Sequence, residues 1–311
     1  ARVAKGQSLS SMSWHAIKRA LILILLGIFL RSQWRSQTYF TFEDTLSQIG
    51  LGYPILFFLG FQSKKVQVAA LVFILVGYFT AFALYTPMHD GLNYQPGVPA
   101  DWKENATGFA AHWNKNANLA WRFDLWFLNL FPREKPFLYN EGGYSTLSFI
   151  PTLGTMILGL LAGNYLKQNK GPREIIKTFL IAGIAGILLG LILDRTGICP
   201  NVKRIWTPSW VLFSGGWCFI IMAIFFWAIE MMDWKKPFIW LVVIGSNSIF
   251  AYVMADSSTG YLAGFFKTHI GEQNLVAWTA QYEPFVVGLL VFITEWLILY
   301  WFYRKKIFIK I

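Results

Sequence analysis

An all-α, polytopic membrane bundle is the fold this sequence predicts. Three features predict it: a high apolar share, apolar runs of membrane-crossing length, and basic clusters in alternate connections. Of the 311 residues, 55% are apolar and only 14% charged, which is more apolar surface than a soluble domain of this size can bury in one core. Fifteen Trp contribute to an 18% aromatic share, and such rings favour the headgroup level because they join an apolar body to a polar edge. The net charge of +11 raises nucleic acid as a partner. The basic residues, however, fall in short clusters between apolar runs rather than on one soluble face, and nucleic acid is set aside.

Eight apolar runs have, or approach, the ~17–25 residues that cross hydrocarbon as helix. They are residues 17–30, 46–61, 66–85, 147–166, 175–193, 210–231, 237–254 and 284–303. The first two are short or interrupted by polar Gln48. In lipid the backbone must satisfy its own hydrogen bonds, and the runs lack the period-two alternation of barrel strands, so each reads as a helix.

Cytoplasmic segments carry the excess of Lys and Arg. With the N-terminus inside, those segments hold Arg2, Lys5, Lys18 and Arg19; Lys64 and Lys65; Lys167, Lys170, Arg173 and Lys177; Lys235 and Lys236; and Arg304, Lys305, Lys306 and Lys310. Only Glu174, Glu230 and Asp233 oppose them on that side. The expectation is an N-in, C-in bundle of about eight spans. Residues 1–311 form a single transmembrane domain in this reading, and residues 86–144 are a long loop on the outer side. That loop is too aromatic for a disordered linker, and residues 119–130 suit a short amphipathic helix on the membrane, so it is expected to fold over the outer mouth. No internal repeat of half length is evident, which disfavours repeat-built carriers.

Polar groups at membrane depth are costly unless paired or wet, which makes them functional suspects. Glu43, Asp44 and Gln48 open the second span, where acids at a helix N-terminus also have a purely structural use. Asn140, Glu141, Gly142, Gly143, Tyr144, Ser145 and Thr146 open the fourth, followed by small residues suited to helix packing. Asn201, Lys203 and Arg204 precede the sixth on the outer side, where cations suit an anionic partner or a salt bridge with Asp194. Ser248, Tyr252 and Asp256 share one helix face beside Asn247, fit for a cavity wall or for interhelical bonding. Glu295 lies mid-span and calls for a cation, a proton or water.

Of the histidines, His15 and His269 read as surface residues, while His89 and His112 fall in the outer loop, His112 beside Trp113, Asn114 and Lys115. Such a setting suits a sugar contact or a packed loop. Cys199 and Cys218 alone make neither a disulfide framework nor a cysteine metal site. HExxH, Walker and nucleophile-elbow motifs are absent, so metalloprotease and nucleotide-hydrolase readings lack their parts.

The segments KRALILILLGIFLRS (18–32), DTLSQIGLGY (44–53), GGYSTLSFIPTLGTMILGLLAG (142–163), CPNVKRIWTPSWVLFSGGW (199–217) and GSNSIFAY (245–252), in this order, resemble the heparan-α-glucosaminide N-acetyltransferase-like membrane acyltransferases, in particular a bacterial branch. The resemblance covers most of the chain. It implies a helical bundle in a bacterial inner membrane, with the 86–144 loop in the periplasm, that takes an acetyl group from cytosolic acetyl-coenzyme A and delivers it to a sugar amine outside. The family's opening helix with an Arg/Asp-rich signature, and the outer loop whose His activates the acceptor, have no counterpart here, so the resemblance implies either a further helix pair before Ala1, which is the expectation, or a chain that lacks the base for the usual transfer. Lys203 and Trp206 carry over as positions near the site.

The resulting expectation is a membrane acyltransferase using acetyl-coenzyme A and a periplasmic sugar or glycan acceptor. Asn201, Asn247 and Tyr252 are the candidate cavity donors, and Glu141 orients the acceptor or base. His112 is the outer histidine available as base, and Gln48 and Ser145 line the binding region. Glu141, Asn201 and Asn247 are expected to meet in one wet chamber. The lipid bilayer and a second copy of the chain are the other partners considered. A small-solute transporter and a membrane scaffold are the alternatives.

Overall fold

The computed structural model describes residues 6–86, 95–99, 101–168 and 170–309, so His89 lies outside the described residues. Among them every regular element is helical, in two compact units, Ala1–Met232 and Asp233–Ile311.

In the first unit, α1 (Leu9–Ser32) starts earlier than its apolar run because Ser8 caps it, accepting the N–H of Ser11. The α2 helix (Thr45–Leu59) is capped by Asp44, whose carboxylate takes the Leu46 N–H at 2.9 Å and pairs with Arg31 at 2.8 Å. Ser63 caps α3 (Lys64–Leu84), and Asn118 caps α4 (Leu119–Phe127) within the long α3–α5 connection, where the sequence predicts a short helix. A 3-10 turn, Thr146–Ser148, leads into α5 (Phe149–Leu166). Pro172 opens α6 (Pro172–Arg195) and Pro208 opens α7 (Pro208–Phe226), both at the first helical turn, where a missing N–H costs nothing. The last turn of α7 widens into a π-helical turn, Trp227–Met231.

Glycines set the closest helix contacts. On α6, Gly183, Gly186 and Gly190 face Gly216, Leu212 and Ser209 of α7, and a Cβ on Gly216 would lie 2.6 Å from the Gly183 carbonyl oxygen. Lipid supplies little hydrophobic drive between helices, so backbone approach through small residues is the main source of packing energy. Gly50 of α2 approaches the Ala20 carbonyl of α1 in the same way.

The connections of this unit sort into two ends. The α1–α2 connection meets the long α3–α5 connection through Phe40 and Phe42 against Phe131, and the α6–α7 connection meets it through Arg204 on the Gly142 carbonyl. At the other end Gln67 is buried, donating to the carbonyls of Leu59 and Gln62 and accepting from Asn164. The basic groups Lys64, Lys65, Lys167 and Lys170 lie at that end.

The second unit comprises α8 (Ile239–Ser246), α9 (Ser248–Ile270), α10 (Glu272–Thr279) and α11 (Glu283–Arg304). The expected straight span 237–254 is instead a pair, Lys236–Ser246 and Ser248–Ile270, bent by 75° at Asn247. Asn247 is buried at the break, where its Nδ2 donates to the Ile307 carbonyl and its Oδ1 accepts the Ile309 N–H. Glu295 takes hydrogen bonds from Ser258 at 2.9 Å and Thr259 at 3.3 Å on α9, so two hydroxyls, rather than a cation, are its partners.

Six described helices are long and apolar enough to cross a membrane, and the bent pair makes a seventh; α2 is shorter. The chain is a multi-pass membrane protein. The glycine contact gives a direct test. Gly216→Ala should lower the melting temperature in detergent, with a loss of about 1–3 kcal/mol from overpacking. Gly159→Ala, where a Cβ meets nothing within 4 Å, should be neutral or slightly stabilising. Equal behaviour of the two would refute close α6–α7 packing.

Candidate functional site

At the end where the connections meet, a turn builds the site. The Gly143 N–H donates to the Asn140 carbonyl at 2.9 Å with Gly143 at φ +73°, a conformation open to glycine. Asn140 thereby reaches inward, its Nδ2 donating to Glu43 Oε2 at 3.0 Å, while Glu141 is left exposed at the rim. Glu43 also accepts from Thr41, and its main-chain carbonyl accepts from Gln48 Nε2. Gln48 Oε1 in turn accepts from Thr152 of α5 at 3.0 Å. A chain of polar contacts thus runs from the Asn140 turn to the first turns of α2 and α5.

Above it opens a pocket of about 270 Å³, whose walls include Arg35, Tyr39, Arg133, Phe137, Tyr139 and Glu141. Arg133 is fixed by the carbonyls of Phe40 and Leu128 and lies over the Tyr39 ring, 4.6 Å from its centroid. Its planar cation is therefore held in place rather than free to fold away. Aromatic faces, the fixed guanidinium of Arg133 and a carboxylate together suit a polar, hydroxyl-bearing ligand.

Beneath Arg133 lies Asp124 of α4, a group the sequence reading passed over. It is buried, with Oδ2 accepting the Thr146 N–H at 2.9 Å; its Oδ1 and the Thr146 hydroxyl have no hydrogen-bond partner among the described residues. Burial raises its carboxyl from the usual 3.8 to about 7, against the opposing hydrogen bond of the Thr146 N–H, with the charge of Glu43 adding to the rise and that of Arg133 countering it. The available signal was a single acid inside the aromatic stretch WRFDLWF.

The other expected residues are placed as follows. Ser145 is buried and bonded to Ser148, which donates to the Arg204 carbonyl. Asn201 takes the Asp194 carboxylate on its main-chain N–H, while its side-chain oxygen is buried without a partner among the described residues. The alternative salt bridge to Asp194 is thus replaced by a main-chain bond, and Arg204 turns instead to the Gly142 carbonyl and the Tyr144 ring. Lys203 is exposed. Trp206 adopts φ +53°, costly for a bulky residue, and is held there by a 3.0 Å bond from its indole N–H to Thr155. His112 is anchored by Nδ1 to the Phe109 carbonyl at 2.8 Å and by ring contacts with Phe109 and Trp113. Asn247 and Tyr252 belong to the second unit, where both amide atoms of Asn247 are engaged by the chain end. Cys199 is buried against Ser209, and burial pushes its thiol up, which removes it as a nucleophile.

No protein-family model and no curated protein matches the chain. The chemistry of the site therefore follows from its own residues. Its strongest electrostatic feature is Asp124, and the sign of its effect is definite. Between pH 3.8 and about 7 the folded chain keeps a proton that the unfolded chain has released. The stability this group contributes is full below that window and falls as pH rises through it. Asp124→Asn keeps an acceptor for the Thr146 N–H and removes the titration. Its melting temperature relative to wild type should therefore rise from pH 5 to pH 8, with a ceiling of about 4 kcal/mol. A constant difference across that range would show that Asp124 is ionised in the fold.

Proposed function

We propose that the protein is a membrane acyltransferase that passes an acetyl group from acetyl-coenzyme A, taken from the cytosolic side, to an amine or hydroxyl of a sugar or glycan held in the outer pocket. Eight spans complete this reading, with α2 and the bent pair each crossing once, both termini on the cytoplasmic side of an inner membrane, and the pocket facing the periplasm. At about 22 Å, α2 is short for a ~30 Å core, and its polar first turn lies at the headgroup level.

The observation that carries the proposal is the pocket in which Glu141 stands beside fixed Arg133 and the rings of Tyr39 and Tyr139. In the reaction the acceptor nitrogen or oxygen attacks the thioester carbonyl, and the tetrahedral oxyanion collapses to expel the coenzyme thiolate. The acceptor proton passes to a carboxylate and then to that thiolate, leaving an amide or ester and free coenzyme A. Glu141 suits the proton-accepting role better than His112, because it lines the pocket whereas His112 is packed between Phe109 and Trp113. A second reading, solute transport, is favoured by the broken helix pair at Asn247 and by Glu295 bonded to α9, since interrupted spans often form binding sites in carriers.

Proteoliposomes given radiolabelled acetyl-coenzyme A and a panel of amino and neutral sugars separate the two. Transfer predicts labelled sugar and free coenzyme, with Glu141→Gln slowing turnover by about 100-fold or more at unchanged protein yield. Intact coenzyme accompanied by sugar flux would replace this reading with transport.

A further inference from the structure

At the end of the first unit opposite the pocket, α6 and the end of α7 enclose a groove of about 430 Å³, open along one side. Its α6 wall follows helical spacing: Arg173 and Lys177 at the mouth, then Leu180 and Ile184 one and two turns further. The facing wall is Trp227 and Met231, set four residues apart in the π-helical turn that widens this end of α7. Such turns are uncommon and cluster at binding sites.

Charge and depth identify the occupant. Lys170 is neutralised by Glu174, whereas Arg173 and Lys177 form no ion pair among the described residues. From Arg173 to Ile184 the helix rises about 16 Å, half of a ~30 Å hydrocarbon core and so the depth of one leaflet. Trp227 stands at the cationic mouth, where an indole favours the headgroup level. Both α6 and the α7 segment are apolar enough to cross the membrane, so lipid is the medium that reaches this groove.

We propose that the groove is a binding site for an anionic glycerophospholipid of the leaflet at that end, with its phosphate held by Arg173 and Lys177 and one acyl chain lying along Leu180 and Ile184 beneath Trp227. Arg173 forks onto two phosphate oxygens while Lys177 supplies a point charge. The inference is independent of the proposed acyl transfer, because it concerns the opposite end of the unit and uses none of the pocket residues.

Native mass spectrometry of the purified full chain, with phosphatidylglycerol or phosphatidylcholine added to the detergent, tests it. Phosphatidylglycerol should be retained at least fivefold more than phosphatidylcholine. The double variant Arg173→Gln, Lys177→Gln should lose that preference, and Ile184→Trp, which fills the groove and leaves the charges, should lower retention of both lipids. The double variant Lys64→Gln, Lys65→Gln at the same end should retain phosphatidylglycerol as wild type does. Unchanged thermal melting confirms that each variant is folded. Equal retention of the two lipids by wild type, equal loss in the Lys64/Lys65 variant, or displacement by inorganic phosphate or acetyl-coenzyme A at micromolar levels would overturn the proposal.

Discussion

The constraint on which the rest of the first unit depends is that polar side chains among lipid-embedded helices must find partners within the protein. Where α2 and α5 begin, that requirement is met by one connected set: Arg31 with Asp44, Glu43 with Asn140, Gln48 with Thr152, and Asp124 with Thr146. The links span from 13 residues (Arg31 to Asp44) to 104 (Gln48 to Thr152), so the set draws the α1–α2 connection, α4 and the Asn140 turn into one cap. The pocket walls are consequences of that assembly. Arg133 is held against Tyr39 because the strand of chain through Phe40 is fastened by Glu43 and Asp44 just beyond it.

The same constraint explains the one incomplete link. Asp124 has one oxygen satisfied and one buried without a partner, and in a low dielectric a proton is the cheapest way to remove the cost of its charge. A carboxyl that changes state near neutrality beside a fixed arginine makes this corner of the cap responsive to pH. Functional sites are where such imbalances concentrate.

Much of the fold was legible because composition alone decides where helices cross lipid. The apolar runs at 66–85, 147–166, 175–193, 210–231 and 284–303 each coincide with a helix within a few residues, and the amphipathic pattern at 119–130 marks α4. The break at Asn247 was hidden because the polar stretch at 245–248 is short and flanked by apolar residues on both sides, and the cause is distant: the peptide groups of Ile307 and Ile309 fill the amide of Asn247. The run of α9 to Ile270 was masked by Asp256, Ser257, Ser258 and Thr259, polar residues of which two serve Glu295 rather than end a helix. In the candidate site, Glu141 and Gln48 could be singled out as polar residues at span entrances. Asp124 and Arg133 could not, since their importance comes from Thr146 and Tyr39, which only the folded chain brings near. The sequence reading placed packing through small residues on the fourth span, whereas the closest approach, of α6 to α7 through Gly183, Gly186, Gly190 and Gly216, required the three-dimensional arrangement.

The central claim is that the pocket-bearing cap and the basic connections occupy opposite faces of the membrane. Single cysteines at position 139 in the pocket and position 64 at the start of α3, in a background with Cys199 and Cys218 replaced by Ser, can be labelled in sealed, oriented vesicles with a membrane-impermeant maleimide. The account predicts that each cysteine reacts from one face only, and from opposite faces. Reaction of both from the same face would contradict it.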